Sequence, residues 1–280
     1  MLLGRLSSIA AVAATCSPIL VAATFALDGI SVASAQTMPA QPAAVVAPAC
    51  KGITDATRLD QTLTRTAARL RRGEPVKIVA IGSSSTAGAG ATSPAASYPS
   101  RLEIELRARF PNVPITVLNR GINGDRANEM LARFERDVIA EKPDLVLWQV
   151  GSNSLLRDEP IEPATLRITE GVARIKEIGA DVVLMNPQFA PKIIIRHDID
   201  GMVTLIDAAA KANNVGVFRR YTLMRHWRLV DGMEFSTFLS PDELHLNDWS
   251  YACIAKLLAG SIAEAATRGS ATAVAMPSTR

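Results

Sequence analysis

Short apolar runs alternate with helical patterns along most of the chain. Five runs rich in β-branched and other apolar residues predict buried strands, at residues 76–81, 114–118, 144–150, 180–185 and 215–218. Between them, apolar residues recur every three or four positions, which predicts amphipathic helices over 54–71, 98–110, 127–140, 163–178 and 200–213. A helical segment over 221–229 and a last helix over 248–267 complete the pattern.

This alternation is typical of parallel β-α-β units. The predicted fold is therefore an α/β fold, a three-layer α/β/α sandwich around a doubly wound, five-stranded parallel sheet. In such sheets the chain leaves the core at the carboxyl ends of the strands, where these folds place their functional groups. We therefore expect functional residues in the turns that follow strands.

Composition supports one sizeable domain, which we place at residues 51–267. The chain has 280 residues, of which 48% are hydrophobic and 20% charged. Its formal net charge is only +3, and the Lys and Arg residues are scattered. We expect neither a nucleic acid nor a strongly acidic partner, because no basic patch is concentrated along the sequence.

The first 35 residues have the pattern of a secretory signal. Arg5 precedes an apolar stretch, and Ala33-Ser34-Ala35 fits the small-x-small cleavage rule. We predict cleavage after Ala35 and a periplasmic or secreted protein. The alternative is an uncleaved anchor helix, although Asp28 and Gly29 leave the apolar stretch short for a membrane span. No stable membrane span is expected after cleavage.

The segments flanking the domain are poor in residues that could build a core. Residues 36–50 read as a Pro/Ala-rich linker, and residues 268–280 as a disordered tail. Two cysteines remain after cleavage, Cys50 before the first helix and Cys253 within the last. An exported protein permits a disulfide between them, but two unpaired thiols fit the sequence equally well.

The first strand runs into a turn of small hydroxyl residues, Gly82-Ser83-Ser84-Ser85-Thr86-Ala87-Gly88. It lacks the Gly-Lys-Ser/Thr of a phosphate loop, and the following glycines do not form a dinucleotide fingerprint, so no cofactor is expected. It also lacks the second glycine of a nucleophile elbow. Taken alone, the segment is either an ordinary turn or a turn that presents a serine to a substrate.

Only three histidines can supply an imidazole base: His197, His226 and His245. The first two lie among charged or aromatic neighbours and read as surface or packing residues. His245 follows Asp242 by three residues, in a loop before the last helix, so the carboxylate can reach back to the imidazole Nδ1–H. No His-x-His or Cys-x-x-Cys cluster is present, and no metal is expected.

Four blocks in order carry a more specific signal. They are the serine turn, Asn-x-Gly-x-x-Gly-Asp at 119–125, Gly-x-Asn at 151–153 and Asp-x-x-His at 242–245. Together they resemble the SGNH hydrolases, the GDSL esterase/lipase superfamily, across residues 76–248. Tyr98-Pro99-Ser100-Arg101-Leu102 is also similar to the segment that often opens the first helix of that family.

The resemblance implies roles for five residues. Ser84 would be the nucleophile, His245 the general base and Asp242 its orienting acid. The oxyanion hole would consist of the backbone N–H groups of Ser84 and Gly124 and the side-chain amide of Asn153.

The blocks also depart from the family pattern at two positions. Ser83 stands in place of the usual aspartate beside the nucleophile, and Ser154 where many members have Asp. Ser83 and Ser85 remain alternative nucleophiles, because three consecutive serines blur the register. Arg120 and Arg126 flank the second block and could either meet an anionic substrate or be solvated.

The expected function is that of an exported serine esterase that cleaves acetyl or short acyl esters through an acyl-enzyme. Its partner would be a small-molecule or polysaccharide ester. A lysophospholipase or thioesterase would use the same residues. The alternative from another class is a non-catalytic carbohydrate-binding envelope protein on the same scaffold.

Overall fold

A computed structural model gives the fold of residues 47–273, the part of the chain that the structure describes. The predicted signal and its cleavage site, most of the linker and the end of the tail lie outside these residues. Five parallel strands form one sheet in the order β2-β1-β3-β4-β5. The strands are β1 (Val76–Gly82), β2 (Ile115–Gly121), β3 (Leu145–Gln149), β4 (Asp181–Met185) and β5 (Gly216–Phe218).

The central strands are buried on both faces, which explains their nearly continuous apolar sequences. Every residue of β3 is buried, and so are the last four of β4. In register, Val76 to Gly82 of β1 lie opposite Ile115 to Gly121 of β2, and Ile78 of β1 lies opposite Leu145 of β3. The strand order makes the crevice at the carboxyl ends of β1 and β3 the topological switch point, where open α/β sheets bind ligands.

Helices cover both faces of the sheet. α12 packs on α2 and α4, while α7 packs on α5 and α9. The predicted three-layer α/β/α fold is thus confirmed. The helices are α1 (Thr54–Thr57), α2 (Thr64–Arg72), α3 (Ser84–Ala87), α4 (Tyr98–Arg109), α5 (Ala127–Ala132), α6 (Ser152–Leu156), α7 (Glu162–Glu177), α8 (Pro191–Ile194), α9 (Ile199–Ala212), α10 (Arg220–Leu229), α11 (Phe235–Phe238) and α12 (Asp248–Ala273), with a 3₁₀ turn at Pro94–Ala96 and a π-helical turn at Glu135–Ile139.

The first predicted helix is wrong as a single element. The chain is extended at Arg58, and the helix resumes only at Thr64. Leu59 and Leu63, which we predict to lie on its apolar face, are both buried, and the N–H of Leu63 donates to the carbonyl of Ala265 in α12 at 3.3 Å. Apolar spacing therefore indicated burial correctly but not helical continuity.

Other boundaries differ where the chain meets the site. β2 continues to Gly121, beyond the predicted end at residue 118, and the helix predicted over 127–140 divides after Ala132. Short helices replace predicted turns at α3 and α6. The last helix extends to Ala273, into the predicted tail. Within residues 47–273, no helix combines the length and apolar character needed to cross a bilayer.

A disulfide joins Cys50 to Cys253, with their Cα atoms 5.3 Å apart. The structure thus answers the question that the sequence left open in favour of the bridge. Two indoles hold the same N-terminal segment: Trp249 Nε1 donates to Pro48 O at 2.9 Å, and Trp227 Nε1 donates to Lys51 O at 3.0 Å. The end of the predicted linker is therefore docked against the last helix.

We expect the Cys50→Ser, Cys253→Ser double variant to lose roughly 2–5 kcal/mol of unfolding free energy, because the bridge no longer restricts the unfolded chain. Urea unfolding of the oxidised parent and the double variant measures the difference. The parent in excess dithiothreitol is the control and should match the variant. Equal stability of the oxidised parent and the variant would contradict this account.

Candidate active site

The nucleophile turn begins where β1 ends. Ser83 is extended and Ser84 starts the short helix α3, so successive serines point in different directions. Ser83 is 2% exposed and Ser85 1% exposed, whereas Ser84 is only half-buried. The N–H and the Oγ of Ser83 both donate to Gln149 Oε1 at 2.9 Å. The turn thus buries two hydroxyls and presents the third.

The imidazole of His245 reaches the presented hydroxyl. Its Nε2 lies 2.8 Å from Ser84 Oγ, and its Nδ1 lies 2.5 Å from Asp242 Oδ2. The loop that carries both residues is closed by an antiparallel bridge between Leu239 and Leu246. The structure therefore brings Ser84, His245 and Asp242 into one hydrogen-bonded line, and neither Ser83 nor Ser85 contacts the imidazole.

Asp242 is the hydrogen-bond hub of its loop. Its Oδ1 accepts from Ser240 Oγ at 2.7 Å and from the N–H groups of Leu244 and His245 at 3.0 and 2.9 Å. Partial burial, the largest single effect, opposes ionisation of Asp242, but hydrogen bonds from His245, Ser240 and Leu244 together hold its pKa well below the ordinary value. Asp242 is therefore ionised at neutral pH, as an acceptor for imidazole Nδ1–H must be.

The second and third strand-end turns meet beside Ser84. Gly124 has φ +82°, a left-handed conformation that favours glycine. Asn153, at the start of α6, donates one amide N–H to Asp125 O at 2.8 Å, which fixes the side chain and leaves its other N–H for a ligand. Among the described residues, the backbone N–H groups of Ser84 and Gly124 donate no hydrogen bond.

Comparison with known proteins identifies the family of this chain. The model of the Non-GDSL lipase-like family matches residues 49–268. The chain belongs to this family. The match confirms the resemblance to the SGNH hydrolases that the four sequence blocks predict.

Curated relatives of this family member are esterases. It is 36% identical over 95 residues to an arylesterase of Vibrio mimicus, a match that covers 34% of this chain and 46% of the relative. It is 34% identical over 94 residues to an acetylxylan esterase of Geobacillus stearothermophilus, covering 29% and 42%. The chain thus spans less than half the length of the curated relatives it matches.

A solved structure of similar fold is a two-domain esterase active on acetylated mannans, co-crystallised with mannopentaose. The TM-score is 0.64 at 21% identity, over 76% of this chain and 55% of that one. At this identity the likeness shows the fold.

Sequence reasoning missed a buried cation that braces this Non-GDSL lipase-like site. Arg133 donates to Asp125 Oδ2 and Arg120 O, both at 2.8 Å, and to Gly82 O at 3.1 Å. It also pairs with Asp137 at 2.8 Å. Arg133 therefore ties the end of β1 to the end of β2 and to the turn that carries Gly124. In the sequence, the sign of a buried arginine is that Arg133 lies next to apolar residues within the helix predicted over 127–140.

Gly90 is a second residue whose part in the site the sequence did not reveal. It has φ +86°, and an added Cβ would lie 2.4 Å from Leu246 O and 3.0 Å from His245 Cβ. Only glycine lets the chain beyond α3 pack this closely against the His245 loop. In the sequence, Gly90 differs in no way from an ordinary turn glycine, because the residues it packs against lie about 155 positions later.

The other two histidines and the two arginines considered in the sequence form ion pairs or contacts with acidic side chains other than Asp242. His197 Nε2 contacts Asp198 at 2.9 Å on the exposed surface, and His226 lies 3.7 Å from Asp231. Arg120 pairs with Glu141 at 2.7 Å. Arg126 pairs with both Glu129 and Glu159. Within residues 47–273, no group of His, Cys, Asp and Glu is arranged to hold a metal ion.

The serine turn yields a stability test. Ser85 Oγ is buried without a hydrogen-bond partner among the described residues, so Ser85→Ala should leave the unfolding free energy unchanged or raise it by about 1 kcal/mol. Ser83→Ala, the matched control, removes the hydroxyl bond to Gln149 and should cost about 1 kcal/mol. Urea unfolding measures both. A larger loss for the Ser85 variant than for the Ser83 variant would refute this reading of the turn.

Proposed function

We propose that this protein is an exported serine esterase that hydrolyses acetyl or short acyl esters of a carbohydrate through an acyl-enzyme. The observation that carries the proposal is the line of contacts from Ser84 through His245 to Asp242. The signal-like first 35 residues and the disulfide between Cys50 and Cys253 support export. With the predicted cleavage after Ala35, the mature enzyme would be periplasmic or secreted.

In the first half of the reaction, Ser84 Oγ attacks the ester carbonyl carbon while His245 Nε2 takes the hydroxyl proton. The carbonyl π electrons move onto oxygen and form a tetrahedral oxyanion. When this intermediate collapses, the bond between carbon and the alcohol oxygen breaks, and His245 returns the proton to the departing alcohol. The acyl group is then esterified to Ser84.

In the second half, water replaces the alcohol. The water oxygen attacks the acyl carbon while His245 takes a proton from the water. When the resulting tetrahedral intermediate collapses, His245 gives that proton to Ser84 Oγ, and the carboxylic acid leaves. Asp242 stays ionised throughout and stabilises the imidazolium that forms in each half. Its low pKa suits this role, because protonation of Asp242 would remove the acceptor for Nδ1–H.

The oxyanion is stabilised by three donors: the N–H groups of Ser84 and Gly124 and the free amide N–H of Asn153. Neutral donors of this kind stabilise developing negative charge without requiring a counter-ion. Anchoring of the Asn153 amide to Asp125 O means that little reorganisation is needed when charge develops.

The carbohydrate acetyl ester as substrate is supported by what the relatives are. One curated relative is an acetylxylan esterase, and the two-domain structural neighbour acts on acetylated mannans. The family description as lipase-like names a different acyl class. Acyl chain length is therefore the property to measure.

Purified protein should hydrolyse p-nitrophenyl acetate faster than longer-chain esters and release acetate from acetylated xylan or mannan. A fluorophosphonate should label Ser84, located by peptide mapping, and Ser84→Ala should abolish both labelling and hydrolysis, since Ser84 Oγ is the hydroxyl that lies 2.8 Å from the imidazole Nε2 of His245. Ser85→Ala is the matched control and should keep both. A preference for long chains would indicate a lipase or thioesterase, and no labelling would indicate a binding protein.

Loss of one oxyanion donor should act on the transition state rather than on substrate binding. We expect Asn153→Ala to lower kcat by about 100- to 1000-fold with KM nearly unchanged. Steady-state kinetics on p-nitrophenyl acetate measure the split, with Ser154→Ala as the neighbouring control. Equal kcat for the Asn153 variant and the parent would remove Asn153 from this role.

A further inference from the structure

Arg220 is a buried cation that the proposed reaction does not use. It begins α10, is 1% exposed, and has no ion-pair partner within residues 47–273. Burial lowers the pKa of Arg220 to about 10, so the guanidinium remains charged at neutral pH. Burying an unpaired charge is costly. Fold stability therefore gives no reason for an arginine here.

The guanidinium contacts the segment that follows β4. Nε donates to Asn186 O at 3.2 Å, and one terminal nitrogen donates to Gln188 Oε1 at 2.9 Å. An arginine has only donors, so the amide of Gln188 must turn its oxygen toward Arg220. Its nitrogen then points the other way and donates to Leu244 O at 3.2 Å, directly before His245 in the chain. Arg220 thereby orients a contact that holds the His245 loop.

The same orientation extends to the nucleophile turn. Ser152 Oγ donates to Gln188 Oε1 at 2.8 Å, which leaves its lone pairs to accept from Gln149 Nε2 at 3.4 Å. Gln149 Oε1 is then free to accept both bonds from Ser83. Ser152 and the two glutamine amides can both donate and accept, so three groups set the direction of this chain: Arg220 and the Ser83 N–H can only donate, and Leu244 O can only accept. Arg220 supplies the one charged donor among them, and charge-assisted hydrogen bonds are the stronger kind.

We propose that Arg220 is a positioning residue that fixes the direction of a buried hydrogen-bond chain holding both the Ser84 turn and the His245 loop. This inference rests on the proposed esterase function. Without the guanidinium, the chain loses its charged donor, and only the weaker neutral bonds to Leu244 O and from the Ser83 N–H oppose reversal of the Gln188 and Gln149 amides. The distance between Ser84 and His245 would then no longer be fixed.

The kinetic test compares two variants that break the chain differently. Arg220→Met removes the donor. Gln188→Glu keeps an acceptor for Arg220 and Ser152, to which it adds a counter-charge for the guanidinium, but it loses the donor to Leu244 O. Each should lower kcat by roughly 10- to 100-fold, with KM within about twofold, because small misplacements of reacting groups have effects of this size.

Two further variants separate positioning from general stability. Arg220→Lys keeps a donor-only cation and should recover part of the kcat lost in the methionine variant. Tyr221→Phe, on the next residue of α10, is the matched control and should keep the parent kcat. Circular dichroism and melting temperature monitor folding. A lowered melting temperature with unchanged kcat, or an equal loss of kcat in the control, would overturn the proposal.

A readout that needs no hydrolysis distinguishes this inference from the function it rests on. In proton NMR, the hydrogen-bonded Nδ1–H of His245 should give a downfield resonance in the parent, which Asp242→Asn assigns by its loss. We expect Arg220→Met and Gln188→Glu to broaden or remove that resonance. If the parent hydrolyses no ester, the function fails while this test still applies. An unchanged resonance in both variants would refute the positioning role.

Discussion

One hydrogen bond, between Ser84 and His245, joins segments 161 residues apart in the chain. The parallel sheet supplies the coarse placement, because all its carboxyl ends open at one edge. The precise distance between the two side chains depends on contacts next to this hydrogen bond. Tyr251 OH donates to Ala89 O at 2.7 Å, and Thr92 N–H donates to Asp248 Oδ1 at 2.9 Å. Both contacts hold the chain beyond α3 against the start of α12.

Buried polar side chains, and not only the apolar core, support the loops of the site. Arg133 donates hydrogen bonds to the ends of β1 and β2 and to the turn after β2, and Arg220 donates to the segment after β4. The two cations therefore contact different parts of the same edge of the sheet. Buried polar networks are favourable only when fully satisfied, and then they specify one arrangement. Here these hydrogen bonds fix the relative positions of three loops, those of Ser84, Gly124 and His245, which are not paired with one another as strands.

The sequence predicted the sheet well because buried parallel strands leave an unmistakable apolar pattern, and it found the candidate site because chemistry restricts the residue types at strand ends. It failed where tertiary contacts decide. The helix is interrupted at Arg58, and beyond the interruption Leu63 bonds to Ala265 of α12, a contact between segments far apart in the sequence. Arg219 and Arg220 are adjacent arginines, yet Arg219 pairs with Asp60 and Asp207 while Arg220 is buried without a carboxylate. No local pattern separates the two.

The bridge between Leu239 and Leu246 encloses Asp242 and His245 in one small loop, within which nearly every bond to the carboxylate is made. Acid and base thus lie on one short loop that sets their positions relative to each other, while Gln188 and Gly90 set the position of the loop on the domain. Because the acid is carried with the base, a displacement of this loop would change the space above Ser84 while keeping the bond between Asp242 and the imidazole. Substitutions that adapt the site to larger or smaller esters would then be tolerated better outside the Leu239–Leu246 bridge than inside the loop that it closes.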